Sequence, residues 1–470
     1  MNWLEIFDLI CGIPHTSGHE AALREKLAGI ARDAGLRVRI DAAGNMAVDR
    51  PPSPGCEHLP VMILQAHMDM VPQTAPGVEF DFLRDPVRWR RDGDWISSGG
   101  RTSLGADDGI GLALALELLL DGTLHCGALR GVFTVEEETG FGGASRIDPA
   151  FLEGGALINL DGEDDALFVV GCAGAARTEG RRRAEMIPLP VGARGVKIML
   201  SGFPGGHSGV DIHKNRGNAV RAMGGLLAEE LRGVEISELR GGTVFNAIPG
   251  YCELTGAVLP GTELPDPETL AAPLRLRTAE GGKIVLTFED APAPESVLAA
   301  ESRSALVRAI REMPDGVLAF SRIFEGIVET SANLATAEVS GGEMRICASQ
   351  RSMADRLREE ATEACRRVFA ACGFEASVDG VYGAWEASEP TPLVKRAAAV
   401  WEKANGGKPS VSVMHAGVEV ADFKAARPAL EAVSVGPTVE TPHSTRERLS
   451  VSSTLRVRKW LRMMVSGEDR

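Results

Sequence analysis

His67 and Asp69 stand two residues apart at the end of the apolar run Leu64-Gln65-Ala66-His67-Met68-Asp69. Positions i and i+2 of a strand face the same way, so an imidazole and a carboxylate placed like this can act together. The carboxylate would hold one ring nitrogen and leave the other free for a metal. By itself such a pair is more often a hydrogen-bonded pair at the surface or in the core. Further clusters, each after its own apolar run, change that reading. Leu104-Gly105-Ala106-Asp107-Asp108-Gly109 leads into the apolar stretch Leu112 to Leu120. Its glycines permit a tight turn that brings Asp107 up to a cation, while Asp108 is placed as a helix N-cap. Val132 to Val135 runs into Glu136-Glu137-Glu138-Thr139-Gly140. Neighbouring side chains on an extended segment point apart, so one of Glu137 and Glu138 can bind metal while the other works as a base. Ala156 to Asp161 ends a strand-like run in a carboxylate, and Thr438-Val439-Glu440-Thr441-Pro442-His443 adds a histidine far downstream. Each of these alone reads as a solvated acidic loop or an ordinary loop histidine. Together His67, Asp107, Glu138, Asp161 and His443 offer two imidazoles and three carboxylates. That mixture suits a pair of Zn²⁺ ions, or of Co²⁺ or Mn²⁺, with one carboxylate bridging.

The elements that must position these residues surround them. Glu20 to Gly35 reads as an amphipathic helix with Leu23, Leu27 and Ile30 on its apolar face, followed by short strands at Arg37 to Ile40 and Asn45 to Val48. From Val61 to Val170 apolar strand-like runs alternate with helix-like stretches, the signature of an α/β sheet with ligands at strand ends. Between about Ile187 and Asp379 the ligand-type pattern stops, although strand and helix candidates continue. These are Val196 to Leu200, Asn218 to Leu231, Ile284 to Phe288, Ala305 to Glu312 and Ala354 to Cys372. We read this stretch as an inserted second domain. Sheet-forming runs return near Val411 and Leu430 and complete the first.

Composition narrows the function. At 470 residues, 44% hydrophobic and 24% charged, the chain has room for two sizeable domains and the balance of a soluble globular protein. A net charge of −15 repels nucleic acid and anionic membrane, so small substrates remain. The eight cysteines are scattered with no Cys-x-x-Cys pair and read as reduced, mostly buried thiols. The N-terminal residues include acidic groups and no long apolar run, so no signal peptide is visible and a cytoplasmic location is expected. His15, His19, His58 and His125 match no motif and are expected to be surface or structural.

From about Phe7 to Val465 the chain resembles the M20 metallopeptidases, in particular their aminoacyl-histidine dipeptidase (Xaa-His dipeptidase) branch. The likeness is carried by "LQAHMDMVPQ", "LGADDGIG", "FTVEEETGFGGA", "LINLDGE", "VGCAGA", "GGHSGVDIHKNRGNA", "NAIP", "HAGVE" and "GPTVETPHS". The resemblance implies one metal held by His67, Asp107 and Asp161 and another by Asp107, Glu138 and His443, with Asp107 bridging. It implies that Asp69 orients the first histidine, that Glu137 is the general base, and that His207 stabilises the tetrahedral oxyanion. His213, Asn246, Arg351 and His415 fall where the branch binds the substrate. For Arg351 a surface residue at a helix start is the competing reading. The branch pattern has Leu-Glu-Cys-Gly after His-Ala-Gly, where this chain reads "HAGVEVADF". The implied fold is two-domain α/β: a central mixed-sheet catalytic domain with helices on both faces, residues 1–186 and 381–470, plus an inserted α+β lid domain, residues 187–380. The expected function is hydrolysis of unblocked dipeptides, Xaa-His among them, by a monomer or homodimer. A deacylase of N-acyl amino acids with the same metal residues is the alternative.

Overall fold

The apolar run before His67 becomes the strand Met62–His67, in which every residue after Met62 is buried. The computed structural model describes residues 1–279, 283–387 and 390–466. Two compact units are formed, one of Met1–Gly171, Ala387–Val413 and Val418–Arg470, the other of Cys172–Glu386 and Met414–Gly417.

Among the described residues the first unit carries an eight-stranded sheet. Its order is Arg37–Ile40, Met46–Arg50, Leu129–Thr134, Met62–His67, Ala156–Asn159, Glu431–Ser434, Leu167–Cys172 and Ser410–Met414. Met62–His67 runs parallel to both Leu129–Thr134 and Ala156–Asn159, and Glu431–Ser434 is parallel to Ala156–Asn159. The flanking pairs are antiparallel, so the sheet is mixed. Parallel strands buried on both faces read as continuous apolar runs, which is why these segments were visible in the sequence. Register then does the positioning. His67 lies opposite Thr134, and Gln65 opposite Asn159, so three parallel strands end at one edge and release their following loops there. The helix Ala106–Leu120 packs on Met62–His67 and on the helix Trp3–Cys11. Helices Pro392–Asn405 and Val451–Ser466 pack together, with Phe168, Trp401 and Trp460 meeting at centroid separations of 5.3 to 6.1 Å.

The second unit is built on an antiparallel sheet that, in the order of its main path, runs Val285–Asp290, Arg194–Ser201, Cys252–Val258, Val234–Gly241, Val328–Ser340, Glu343–Ser352, Gly174–Arg183 and Glu375–Tyr382. Helices Ala219–Ala228, Ala300–Glu312 and Asp355–Ala371 cover it, closing a core that includes Ile198, Leu227, Leu306, Ile310 and Phe369. Asn218 starts the first of these helices by accepting from the N–H groups of Val220 and Arg221. Arg351 does not sit at a helix start. The strand continues to Ser352, with Arg351 paired to Ser331 on one side and Ala175 on the other, and the helix begins only at Asp355. Among the described residues no helix is long and apolar enough to cross a membrane.

Candidate metal centre

His67 ends its strand with the ring held from behind. Nδ1 donates to the backbone carbonyl of Asp69 at 2.9 Å, while the Asp69 carboxylate lies farther off at 3.6 Å. The carbonyl thus supplies the contact that sequence spacing assigns to the carboxylate. Asp69 uses its carboxylate elsewhere, accepting from the N–H groups of Glu137 (3.0 Å) and Glu138 (3.2 Å) and from the Ser17 hydroxyl (2.7 Å). The strand ends at Thr134, and Glu136 at φ +55° then turns the chain, so that Glu137 and Glu138 lie in a turn. The turn, not strand alternation, sends the two side chains to different places.

Asp107 comes from a second turn. Gly105 has φ +73°, and Asp107 and Asp108 are non-helical although they open the helix Ala106–Leu120. Asp108 acts as the cap, accepting from the N–H of Gly111 at 3.1 Å, and also accepts from the N–H of His67 at 3.3 Å. A Cβ on residue 111 would stand 2.2 Å from the Asp108 oxygen, so the cap requires glycine.

The expected ligands of the first unit converge. His67 Nε2 is 3.0 Å from Asp107 Oδ1 and 3.5 Å from Asp161 Oδ1. His443 Nε2 is 2.9 Å from Asp107 Oδ2 and 2.9 Å from Glu138 Oε1. His67, Asp107 and Glu138 each place a donor atom within 4.8 Å of the others. This arrangement has too few protons. With Nδ1–H given to a carbonyl, a neutral His67 turns a bare lone pair on Nε2 toward two carboxylates. One N–H on His443 can serve only one of its two carboxylates, and Glu138 Oε1 is buried with no hydrogen bond. Cations among these atoms would satisfy all of them, so the residues present fit a two-metal centre.

Without cations the cluster must trap protons. Burial pushes Asp161 up to about 7, with Asp107 adding to the rise and His67 opposing it. Burial also lifts Glu137 well above the usual carboxylate range, with Asp161, Glu138 and Glu419 adding to it against His67. Burial opposes protonation of His443, yet Asp107 and Glu138 outweigh it and carry the ring to about 11. Burial also opposes protonation of His67, yet Asp161 and Asp107 outweigh it and raise the ring well above its usual range, so that without cations it is charged. At Asp107 burial is likewise outweighed, by hydrogen bonds from His443 and this charged His67, and the carboxyl is held below its usual range.

Three further acids surround this cluster, and local sequence assigns none of them a role. Glu163 is pushed up to about 8 by burial and by Asp107 and Asp161. Glu419, fully buried, accepts from Gln65 Nε2 and Thr134 Oγ1, each at 2.7 Å. A lone acid inside Val418-Glu419-Val420-Ala421 was the available signal for it. Glu447 accepts from the backbone N–H groups of residues 104 to 107, and nothing local in the sequence announces this.

The remaining site candidates gather in the second unit. His207, on the strand Gly206–His207, accepts at Nδ1 from the N–H groups of Gly209 (3.2 Å) and Val210 (3.3 Å), which makes Nε2 the donor of the ring. The Asn246 carbonyl accepts from the Ser208 N–H at 2.8 Å. Arg351 is buried, donating to the Tyr382 hydroxyl at 2.9 Å and toward Ser208 Oγ at 3.4 Å, and among the described residues it has no carboxylate partner. His415 lies 2.7 Å from Ser331 Oγ. Burial first, then Arg351, drives His415 down to about 3, so it is neutral. His213 is exposed in the turn Ile212–Lys214.

The profile of Peptidase family M20/M25/M40 matches residues 63–466. The chain is 32% identical over 458 residues to the cytosol non-specific dipeptidase of Escherichia coli (strain K12), covering 96% of this chain and 94% of the relative. The crystal structure of aminoacylhistidine dipeptidase from Vibrio alginolyticus superposes with a TM-score of 0.84 at 31% identity, covering 98% of this chain and 95% of that one. An aminopeptidase from Bacillus cereus shares the fold, with a TM-score of 0.62 at 18% identity over 100% of this chain and 98% of that one.

Proposed function

The chain belongs to peptidase family M20/M25/M40, and from that premise we propose that it is a two-metal dipeptidase acting on unblocked dipeptides, Xaa-His among them. Zn²⁺ is the first choice of cation, with Co²⁺ and Mn²⁺ as alternatives. The observation that carries the reading is Asp107 standing between two imidazoles, with His67 Nε2 3.0 Å from one oxygen and His443 Nε2 2.9 Å from the other. His67, Asp107 and Asp161 would hold one ion, and Asp107, Glu138 and His443 the other. Bound there, the cations would activate a water and polarise the scissile carbonyl.

The chain's own residues supply the rest. Glu137, its amide fixed by Asp69, would take a proton and return it to the leaving amine. Asp69 keeps Glu137 and Glu138 at their separate tasks by holding both amides of the turn. His207, with Nε2–H as its donor, is assigned to the oxyanion, and Asn246, Arg351 and His415 to the substrate backbone and terminal carboxylate. A buried guanidinium with no acidic partner among the described residues suits a carboxylate, which it can grip with two N–H groups. The names of the Escherichia coli and Vibrio alginolyticus relatives support the dipeptide assignment. We place the protein in the cytoplasm, as a monomer or homodimer whose partner is a small peptide rather than nucleic acid or membrane.

The test is kcat/KM for a matched set: a free dipeptide, its C-terminal amide, its N-acetyl form and a tripeptide. The free dipeptide should be the best substrate. A preference for the N-acetyl compound would establish a deacylase instead, and a preference for the tripeptide an aminopeptidase.

A further inference from the structure

Glu447 lies beneath the Asp107 turn with its carboxylate buried, the residue being only 2% exposed. Oε2 accepts from the N–H groups of Leu104 (2.7 Å) and Gly105 (3.2 Å), and Oε1 from those of Ala106 (2.7 Å) and Asp107 (3.4 Å). Consecutive amides face one carboxylate only where the backbone curls, and Gly105 at φ +73° supplies the curl. A side chain at that position would also come within 3.0 Å of Met70 Sδ.

The other end of Glu447 belongs to the loop that carries His443. That loop is hydrogen-bonded across itself: Thr441 Oγ1 donates to the Arg446 carbonyl at 2.8 Å, Ser444 Oγ to the Thr441 carbonyl at 2.8 Å, and the Glu447 N–H to the Ser444 carbonyl at 3.1 Å. Thr441 and His443 hold positive φ values of 50° and 56° within it. Such backbone persists only where its surroundings over-determine it. The loop is therefore a closed unit, and Glu447 is where it grips the turn that presents Asp107.

We propose that Glu447 is a positioning residue for the second cation, locking the Asp107 turn to the His443 loop at the spacing that Asp107, Glu138 and His443 need to share one ion. This rests on the two-cation reading above. A glutamine at 447 has one acceptor oxygen and an NH₂ group, so two of the four amides would lose their partner. An aspartate keeps the charge but is one methylene shorter, and cannot reach both pairs of amides at once.

The experiment compares wild type, Glu447→Gln and Glu447→Asp as full chains, stripped with a chelator and titrated with Zn²⁺ or Co²⁺ alone. It reads ions retained per chain after dialysis, the affinity of each, the visible spectrum of the Co²⁺ form, and the melting temperature of the metal-free chain. Wild type should retain two ions. Each variant should retain one tightly and bind the second more weakly by about 10–100-fold. Aspartate should lose less than glutamine, and excess metal should restore kcat with KM unchanged. Two ions bound at wild-type affinity, with or without a fall in metal-free melting temperature, would make Glu447 a brace for stability alone and overturn the proposal. If Glu447→Gln does not fold, Glu447→Asp decides between the same two results. Fewer than two ions on wild type would bring down the two-cation reading, and this proposal with it.

Discussion

Around His67 and His443 in the first unit, acceptors outnumber the protons available to them, whereas around Arg351 in the second unit a buried donor group has no acid to serve among the described residues. Burial raises the carboxyls of Glu137, Asp161 and Glu163 in the first cluster, and drives His415 down to about 3 in the second. The same low-dielectric surroundings act on both, and the sign of the imbalance differs. Crowded carboxylates are stable together only with protons or cations among them. A buried guanidinium that meets only hydroxyls among the described residues, beside a neutral imidazole, suits an anion. The imbalance in the first cluster thus favours a cation, and that in the second an anion.

The largest effect that would sharpen this contrast is at the proposed base. Glu137→Gln should leave both ions in place yet cut kcat by roughly 10²–10⁴. A fully active variant would move the role to Glu136 or Glu138. Next comes the anion side. Arg351→Met should raise KM for a free dipeptide by about tenfold to a hundredfold, the equivalent of a charged hydrogen bond, while hardly changing KM for the C-terminal amide. Equal losses on the two substrates would break the contrast, because Arg351 would then be holding its own unit together.

A smaller effect is the pH dependence of the metal-free chain. Burial raises Asp161 from its ordinary value of 3.8 to about 7, and Glu163 and Glu419 from 4.5 to about 8. Between about pH 4.5 and 8 the folded chain therefore binds more protons than the unfolded one, and stability falls as pH rises. His443, raised from 6.5 to about 11, adds loss in the same direction above pH 6.5. The melting temperature of chelator-treated protein should drop from pH 5 to pH 9, and Zn²⁺ should flatten the curve. A metal-free melting temperature that climbs over this range would contradict the proton-trapping cluster.

Much of the first cluster was legible because His67, Glu138 and Asp161 follow buried parallel strands whose apolar runs are visible and whose register brings their ends to one edge. Asp107 and Asp108 were separable for a similar reason, one needing reach and the other a cap. The roles of Asp69 and of the Glu137–Glu138 turn were harder to read. The strand ends at Thr134, and the positive φ of Glu136 that turns the chain just beyond it carries no mark in the sequence. Arg351 read equally as a helix-start residue because the strand Glu343–Ser352 stops only just before the helix Asp355–Ala371. Glu447 was invisible, since its partners lie 340 or more residues away and are backbone amides, which leave no trace in residue type.

The most direct measurement is the number of ions held per chain by wild type and by Asp107→Asn after dialysis, counted by elemental analysis. Asp107 touches both imidazoles, so wild type should hold two ions and the variant should hold neither firmly, while its metal-free fold is retained. Two ions still bound to Asp107→Asn, or a single ion on wild type, would contradict a centre built on one shared carboxylate.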